Sequence, residues 1–295
     1  MLVILFLIMV GDGGMPGAFL NYGLTPRTLS MGKSFTGLAN DAEAGYYNPA
    51  GLVQLMSHDL KLAHSQLYGG FRMEYLGYGF PTRRFGYFGF TLINHGVEDV
   101  ESRVSLTEVV GTYSYRQNGV IFSYAYQFLK ELGLGGNIKV ITSNIANFGA
   151  VGLGGDAGFF LFPKGSITFG GVVQNLFGPK LTYHTVEDVF PLTFRIGSAV
   201  KFYRDQIILL GDLVKPGSNS LTPHMGLEYR LLPIVTLRGG VDKNELSAGL
   251  GLRKDWGKLS LAIDYAILFH HQSNYLLPLT HKIGLILNFG GFRTW

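Results

Sequence analysis

The sequence predicts an all-β chain that closes as a transmembrane antiparallel β-barrel of about 14 strands. Three observations carry this. First, mean hydropathy is +0.22, yet the longest apolar run, Leu2 to Val10, falls short of the ~20 residues a spanning helix needs. Second, from His58 onward large apolar residues alternate with Gly, Ala, Ser and single charges. Third, the composition combines 42 Gly and 14% aromatics with only 15% charged residues. A water-soluble sandwich would carry a charge-rich outer face. A small-residue, sparsely charged face opposite an apolar one fits a barrel whose outside meets lipid and whose inside is narrow or filled. The chain is too apolar and too aromatic to be disordered. It has no cysteine, which excludes disulfides and Cys-based zinc sites. Its net charge of +4 comes without a Lys/Arg run, so no nucleic-acid footprint is expected.

Residues 1–17 read as an approximate signal peptide. Residues 2–10 (Leu-Val-Ile-Leu-Phe-Leu-Ile-Met-Val) form its apolar core, and the small residues Gly11 to Gly17 offer a cleavage region. No Lys or Arg precedes the core. The alternative is a buried strand or short helix. Export without cysteine fits a bacterial envelope protein.

Residues 18–57 differ from the rest of the chain. Ala39 to Ala44 has helical character, and Tyr46-Tyr-Asn-Pro-Ala-Gly-Leu breaks it, because the residue before Pro49 is pushed out of the helical region and Gly51 comes directly after Ala50.

The strands run in order near 58–67, 72–81, 84–94, 108–128, 132–144, 151–162, 166–176, 191–202, 206–214, 222–231, 234–242, 246–253, 258–267 and 281–289. In 120–128, Val120, Phe122, Tyr124, Tyr126 and Phe128 share one face, opposite Ser123, Ala125 and Gln127. In the last strand Ile283, Leu285, Leu287 and Phe289 oppose Lys282, Gly284, Ile286 and Asn288. A break at Gln117-Asn-Gly would raise the count to 15, against the even number that bacterial barrels keep. Long connections should alternate with short ones. The gaps after 94, 144 and 267 obey, while those after 176 and 214 fall out of step, which points to a misplaced boundary between 144 and 176 or to long connections on the periplasmic side.

No nucleophile elbow, His-Glu-x-x-His or complete phosphate loop occurs. Gly32-Lys33-Ser34 has the tail of a phosphate loop, but Arg27 stands where its first glycine belongs. Gly133-x-Gly-Gly and Gly152-x-Gly-Gly lie in strands, where glycine permits close approach. Adjacent His270 and His271 point to opposite faces and read as an exposed loop. No cofactor, no metal and no enzymatic activity is therefore expected. The inward faces carry Lys139, Asp156, Arg195, Lys201, Glu228, Arg238, Arg253, Asp264 and Lys282. Unpaired charge in a narrow lumen is costly, so these residues are expected to pair across the lumen or to anchor another segment. A ligand or ion path and acid–base chemistry are the alternatives.

The block Arg27-Thr-Leu-Ser-Met-Gly-Lys-Ser-Phe-Thr-Gly-Leu-Ala-Asn-Asp-Ala-Glu-Ala-Gly-Tyr-Tyr-Asn-Pro-Ala-Gly-Leu (27–52) resembles the N-terminal signature of the PorV/PorQ family, which is related to FadL-type long-chain fatty-acid transporters. Gln174-Asn-Leu-Phe-Gly-Pro-Lys, Phe190-Pro-Leu-Thr-Phe-Arg-Ile-Gly, Gly226-Leu-Glu-Tyr and Leu237-Arg-Gly-Gly are similar to the same family, in its order. The resemblance implies a 14-stranded barrel of the bacterial outer membrane, residues 58–295, with residues 18–57 folded into its lumen as a plug. The plug residues so marked are Arg27, Met31, Gly32, Asp41, Glu43, Asn48, Pro49 and Gly51. Asn48 can tie the helix break to the wall through its side chain, and basic luminal residues can meet Asp41 and Glu43. Whether the plug is a gate or a permanent stopper stays open. The resemblance implies binding or passage of hydrophobic small molecules. The alternative is a type IX secretion-associated component that docks or shuttles secreted proteins. The expected partners beyond these are outer-membrane lipid and the barrel-assembly machinery.

Overall fold

Alternation leaves each segment one face that water does not wet, and closing a sheet on itself turns all those faces outward at once. The computed structural model describes residues 16–82, 84–105, 108–161, 166–184, 186–270 and 279–290. The expected signal core at 2–10 and His271 lie outside them.

The strands are β1 (His58–Gln66), β2 (Arg72–Pro81), β3 (Tyr87–Arg103), β4 (Val109–Leu129), β5 (Leu132–Ile145), β6 (Phe148–Leu161), β7 (Ile167–Phe177), β8 (Lys180–Tyr183), β9 (Val186–Val189), β10 (Thr193–Phe202), β11 (Ile207–Pro216), β12 (Thr222–Leu232), β13 (Val235–Val241), β14 (Glu245–Trp256), β15 (Leu259–His270) and β16 (Thr280–Phe289). Fourteen of them form one closed antiparallel barrel in chain order, β7 pairing directly with β10. The hairpin β8–β9 forms a separate two-stranded sheet. Closure runs through β1 and β16, from His58 opposite Phe289 to Gln66 opposite His281. No helix among the described residues is long and apolar enough to cross a membrane.

The faces divide by size. Leu62, Phe90, Phe122, Ile138, Phe169, Ile196, Leu227, Ile263 and Ile283 point out and are exposed, whereas Ser123, Lys139, Asp156, Asp212 and Lys282 point in and are buried. At one end an outward aromatic row crosses the closing seam. Phe289 stacks on His58 (centroids 5.0 Å), His58 on Phe80, and Phe80 on Phe88. Such girdles mark a membrane interface. This end is called the lower mouth. The upper mouth carries the connections 67–71, 178–192 and 217–221.

Three sequence-based expectations are corrected. The connections 178–192 and 217–221 come after the seventh and ninth barrel strands, so they stay in step with the other long ones and no boundary is misplaced. The gaps expected at 95–107 and 145–150 shrink because β3 to β6 run on beyond the apolar belt, with β4 continuous over 21 residues through Gln117-Asn-Gly. There both faces meet water, so alternation fades while pairing continues. The helix expected over 39–44 sits at α2 (Ala44–Tyr47) instead. Ala39 has φ +30°, and Asp41 Oδ1 accepts from the Glu43 amide at 2.9 Å, which favours a turn there.

Candidate functional site

The lumen is filled by the chain's own residues 16–57. These comprise two short 3₁₀ turns, Ala18–Tyr22 and Pro49–Gln54, together with α1 (Pro26–Ser30) and α2. Residues 24–55 are almost all buried. The inward glycines explain how so much backbone fits. A Cβ on Gly135, Gly170, Gly226 or Gly240 would collide with the backbone of Ala50, Thr36, Met31 or Gly32. Gly32 itself, at φ +63°, turns the segment where it meets β12 and β13. Gly51 lies against Ala39 in the same manner.

The segment is also tied electrostatically. A chain of alternating charge runs Lys61, Asp41, Arg27, Glu228, Arg238, Asp264. Lys61 bridges Asp41, and Arg27 bridges Asp41 at 2.6 Å. Arg27 Nε and Nη2 donate to the two oxygens of Glu228 at 2.9 and 3.0 Å. Arg238 then reaches Glu228 at 2.7 Å and Asp264 at 3.0 Å. Burial opposes ionisation of Asp41, but Lys61 and Arg27 outweigh it and hold its carboxyl below the usual range. Glu43 is fully buried and accepts from the Thr25 amide (3.1 Å) and the Thr25 and Thr28 hydroxyls (2.5 and 2.8 Å). Burial pushes its carboxyl up.

Neutral ties continue around the wall. Asn48 donates to the Thr36 and Phe159 carbonyls at 3.2 and 3.0 Å, while its oxygen accepts from Ala50 and starts the turn at Pro49. Gln174 donates to Tyr46, Asn137 and Ser123 to Gly45, and Thr168 to Gly37, all to carbonyls. The His224 imidazole donates to the Gly32 carbonyl at 2.7 Å.

Of the inward charges marked by sequence, Glu228 meets Arg27, and Arg238 and Asp264 extend the chain beyond it. Lys139 and Asp156 pair with each other at 2.6 Å, and Asp156 also accepts from the Asn175 amide, holding a bulge between β6 and β7. Arg195 pairs with Asp212 at 3.6 Å and donates to the Lys33 carbonyl. Lys282 is buried and donates to the carbonyls of Gly23 (2.6 Å) and Leu24 (3.2 Å). Met31 is buried against Gly226. Lys201 and Arg253 only line a polar cavity of about 340 Å³ at the lower mouth, shared with Arg27, Asp59 and Lys61. Arg253 is exposed there, paired with Asp255 at 3.1 Å.

Several anchors were not singled out from sequence. Lys61 and Asp212 had a signal, their inward parity. Asp212 accepts from Ser34 Oγ and the amides of Phe35 and Thr36. Lys33 had none. It bridges Asp242 (2.8 Å) and Glu245 (2.7 Å), and these carboxylates outweigh its burial to raise its pKa. His270 is not in an exposed loop. It ends β15 with its side chain 3.1 Å from Glu245.

Above these ties lies an aromatic chamber at the upper mouth. Phe19 of the segment stacks on His95 (6.0 Å) and Tyr22 lies tilted against it (5.5 Å); further ring neighbours of His95 are Phe71 (5.1 Å) and Tyr115 (6.3 Å). Phe190, on the connection from β9 to β10, closes over Gly17. Among the described residues no group of three or more His, Asp or Glu could hold a metal ion.

Residues 23–151 match the model of an uncharacterised protein family, UPF0164. No curated protein matches the sequence. Among solved structures the chain is similar to the Pseudomonas putida toluene transporter TodX (TM-score 0.66, 12% identity, 90% of this chain and 97% of that one). It is also similar to the Ralstonia pickettii toluene transporter TbuX (0.64, 14%, 90% and 97%) and to a Pseudomonas aeruginosa FadL homologue (0.64, 12%, 90% and 98%). The fold is that of the FadL-type barrels.

Proposed function

We propose that the chain is a non-enzymatic barrel of the bacterial outer membrane that binds hydrophobic small molecules and passes them by an N-terminal plug, residues 18–57. Outer-membrane lipid surrounds it, and the assembly machinery reads its last strand, β16. The fold shared with the toluene transporters TodX and TbuX supports the reading.

The single observation that carries it is the contrast within the plug. From Thr25 to Leu55 buried ion pairs and hydrogen bonds fix it to the wall, and breaking such buried pairs costs about 3–5 kcal/mol each. From Gly17 to Leu24 it is held by ring stacking, by Lys282 on two carbonyls, and by the Tyr46 hydroxyl donating to the Leu20 carbonyl. The first part is the stopper. The second is the piece that yields, and the chamber it fills, lined by Phe71, His95 and Tyr115, is apolar and aromatic. A host lacking its own hydrocarbon-uptake barrels tests this. Cells making the protein should accumulate radiolabelled toluene or oleate faster than cells making none, and equal rates for both probes would refute it.

The secretion-associated alternative draws on the resemblance of 27–52 and on Val104, Val109 and Val110, exposed where β3 and β4 protrude. A deletion strain that loses surface display of secreted proteins but keeps hydrocarbon uptake would favour it.

A further inference from the structure

The outward face breaks its own rule on one side of the barrel. On β15 the outward residues Leu259, Leu261, Ile263, Tyr265, Ile267 and Phe269 are all apolar or aromatic. Ten residues tilted by ~40° at ~3.3 Å each cover about 25 Å of membrane, the usual height of the apolar band. On β1 the same band runs from His58 only to Leu62 before His64 interrupts it, about 15 Å above the girdle by the same geometry. His64 is paired with Glu74 on β2 at 2.7 Å, both half-exposed. In register, Glu74 faces Asn94, Asn94 faces Asn118, and Asn118 faces Thr142. The last three form a side-chain hydrogen-bonded ladder, at 2.6 and 3.1 Å. An outward polar row thus crosses β1 to β5, while in the same register the adjoining β16 and β15 still place Ile283 and Tyr265.

Two further features sit beside this row. An outer-wall depression of about 800 Å³ extends down from it, rimmed by His64, Glu74, Asn94 and Asn118 of the row and floored by apolar residues such as Leu62, Leu92, Val120 and Leu285. Above it, one outward step along β2 and β4, stand Arg72 and Arg116. Both reach a single carboxylate, Glu98, at 3.3 and 2.8 Å. Two guanidiniums thus share the single carboxylate of Glu98 above an apolar hollow, and the next carboxylate along β2, Glu74, is taken up by His64.

We propose that this wall holds one phospholipid, its phosphate on Arg72 and Arg116, its glycerol region on the Glu74–Asn94–Asn118 row, and its acyl chains in the hollow. Guanidinium is the side chain best suited to phosphate oxygens. A second copy of the chain fits less well, because two concave faces related by a two-fold axis leave a void between them. The site is separate from the lumen and does not depend on the transport reading.

Native mass spectrometry of the full chain in neutral detergent tests it, with dioleoylphosphatidylglycerol as the probe and dioleoylglycerol as its headgroup-free control. The barrel should retain one phosphatidylglycerol, at least about tenfold better than dioleoylglycerol, a ratio that one charge-assisted contact supplies. Arg72→Gln/Arg116→Gln should abolish that preference. Glu98→Gln, which frees both cations, should strengthen it. Leu92→Trp, filling the hollow, should lower retention of both lipids. Equal retention of the two lipids by the wild type, or a preference untouched in the double variant, would overturn the proposal. So would a lipid-free dimer that the same substitutions dissolve.

Discussion

Arg27 and Glu228, 201 positions apart, meet in a two-pronged salt bridge inside the barrel, with Nε and Nη2 of one on the two carboxylate oxygens of the other. The pair joins the luminal segment to β12. Its neighbours Asp41 and Arg238 extend the alternation on either side, so neither charge is isolated. Planar two-pronged pairing fixes orientation as well as distance.

Removing one member should therefore loosen the segment more than the barrel. Glu228→Gln leaves Arg27 and Arg238 facing each other without their shared carboxylate. The expected cost is about 3–5 kcal/mol. Trypsin should then cut at Arg27 or Lys33 in the variant, while the unheated protein still migrates as a folded barrel in SDS. Protection equal to the wild type would show that the pair does not anchor the segment.

Close backbone approach gives a second expectation. A side chain at Gly240 falls inside the van der Waals envelope of the Gly32 amide, whereas at Gly239, facing outward, it meets nothing within 4 Å. Gly240→Val should destabilise seating by at least ~3 kcal/mol, beyond the usual over-packing range, because backbone cannot rotate away. Gly239→Val should be neutral. The two adjacent substitutions, compared by thermal unfolding, separate luminal contact from any general effect on β13.

Acid should release the segment late. Asp41 is held below its ordinary value, so its contribution is complete above about pH 4, the unfolded carboxylate range, and fades as pH falls through the lower folded value. Protease resistance of the segment should hold from pH 7 to 5 and fail below about 4. In Asp41→Asn this dependence should flatten. A loss between pH 7 and 5 that Asp41→Asn removes would contradict the assignment.

The barrel was legible because each barrel strand turns one face outward, and large apolar residues keep to that parity. The upper reaches of β3 to β6 were not, because the outward face turns polar there and that contrast is lost: Asn94, Gly96 and Glu98 carry no apolar signal, yet the ladder continues to Arg103. Within the lumen, inward parity marked Glu228, Arg238 and Asp264 but not the pairing of Glu228 with Arg27, since that depends on how residues 25–44 fold without any period. Lys33 and His95 show this most plainly. One is a lysine in a loop and the other an inward histidine, and only the folded lumen brings the first to Asp242 and Glu245 and the second between Phe19 and Phe71.

The most direct test of the account concerns the Gly17–Leu24 turn. The chain has no cysteine, so Tyr22→Cys/His95→Cys can be bridged by a short bis-alkylating reagent across rings that lie 5.5 Å apart in the native chamber. Uptake of radiolabelled toluene and oleate is measured in cells before and after bridging. Uptake is expected before bridging and none after it, with either single variant indifferent to the reagent. Undiminished uptake through the bridged barrel would contradict it.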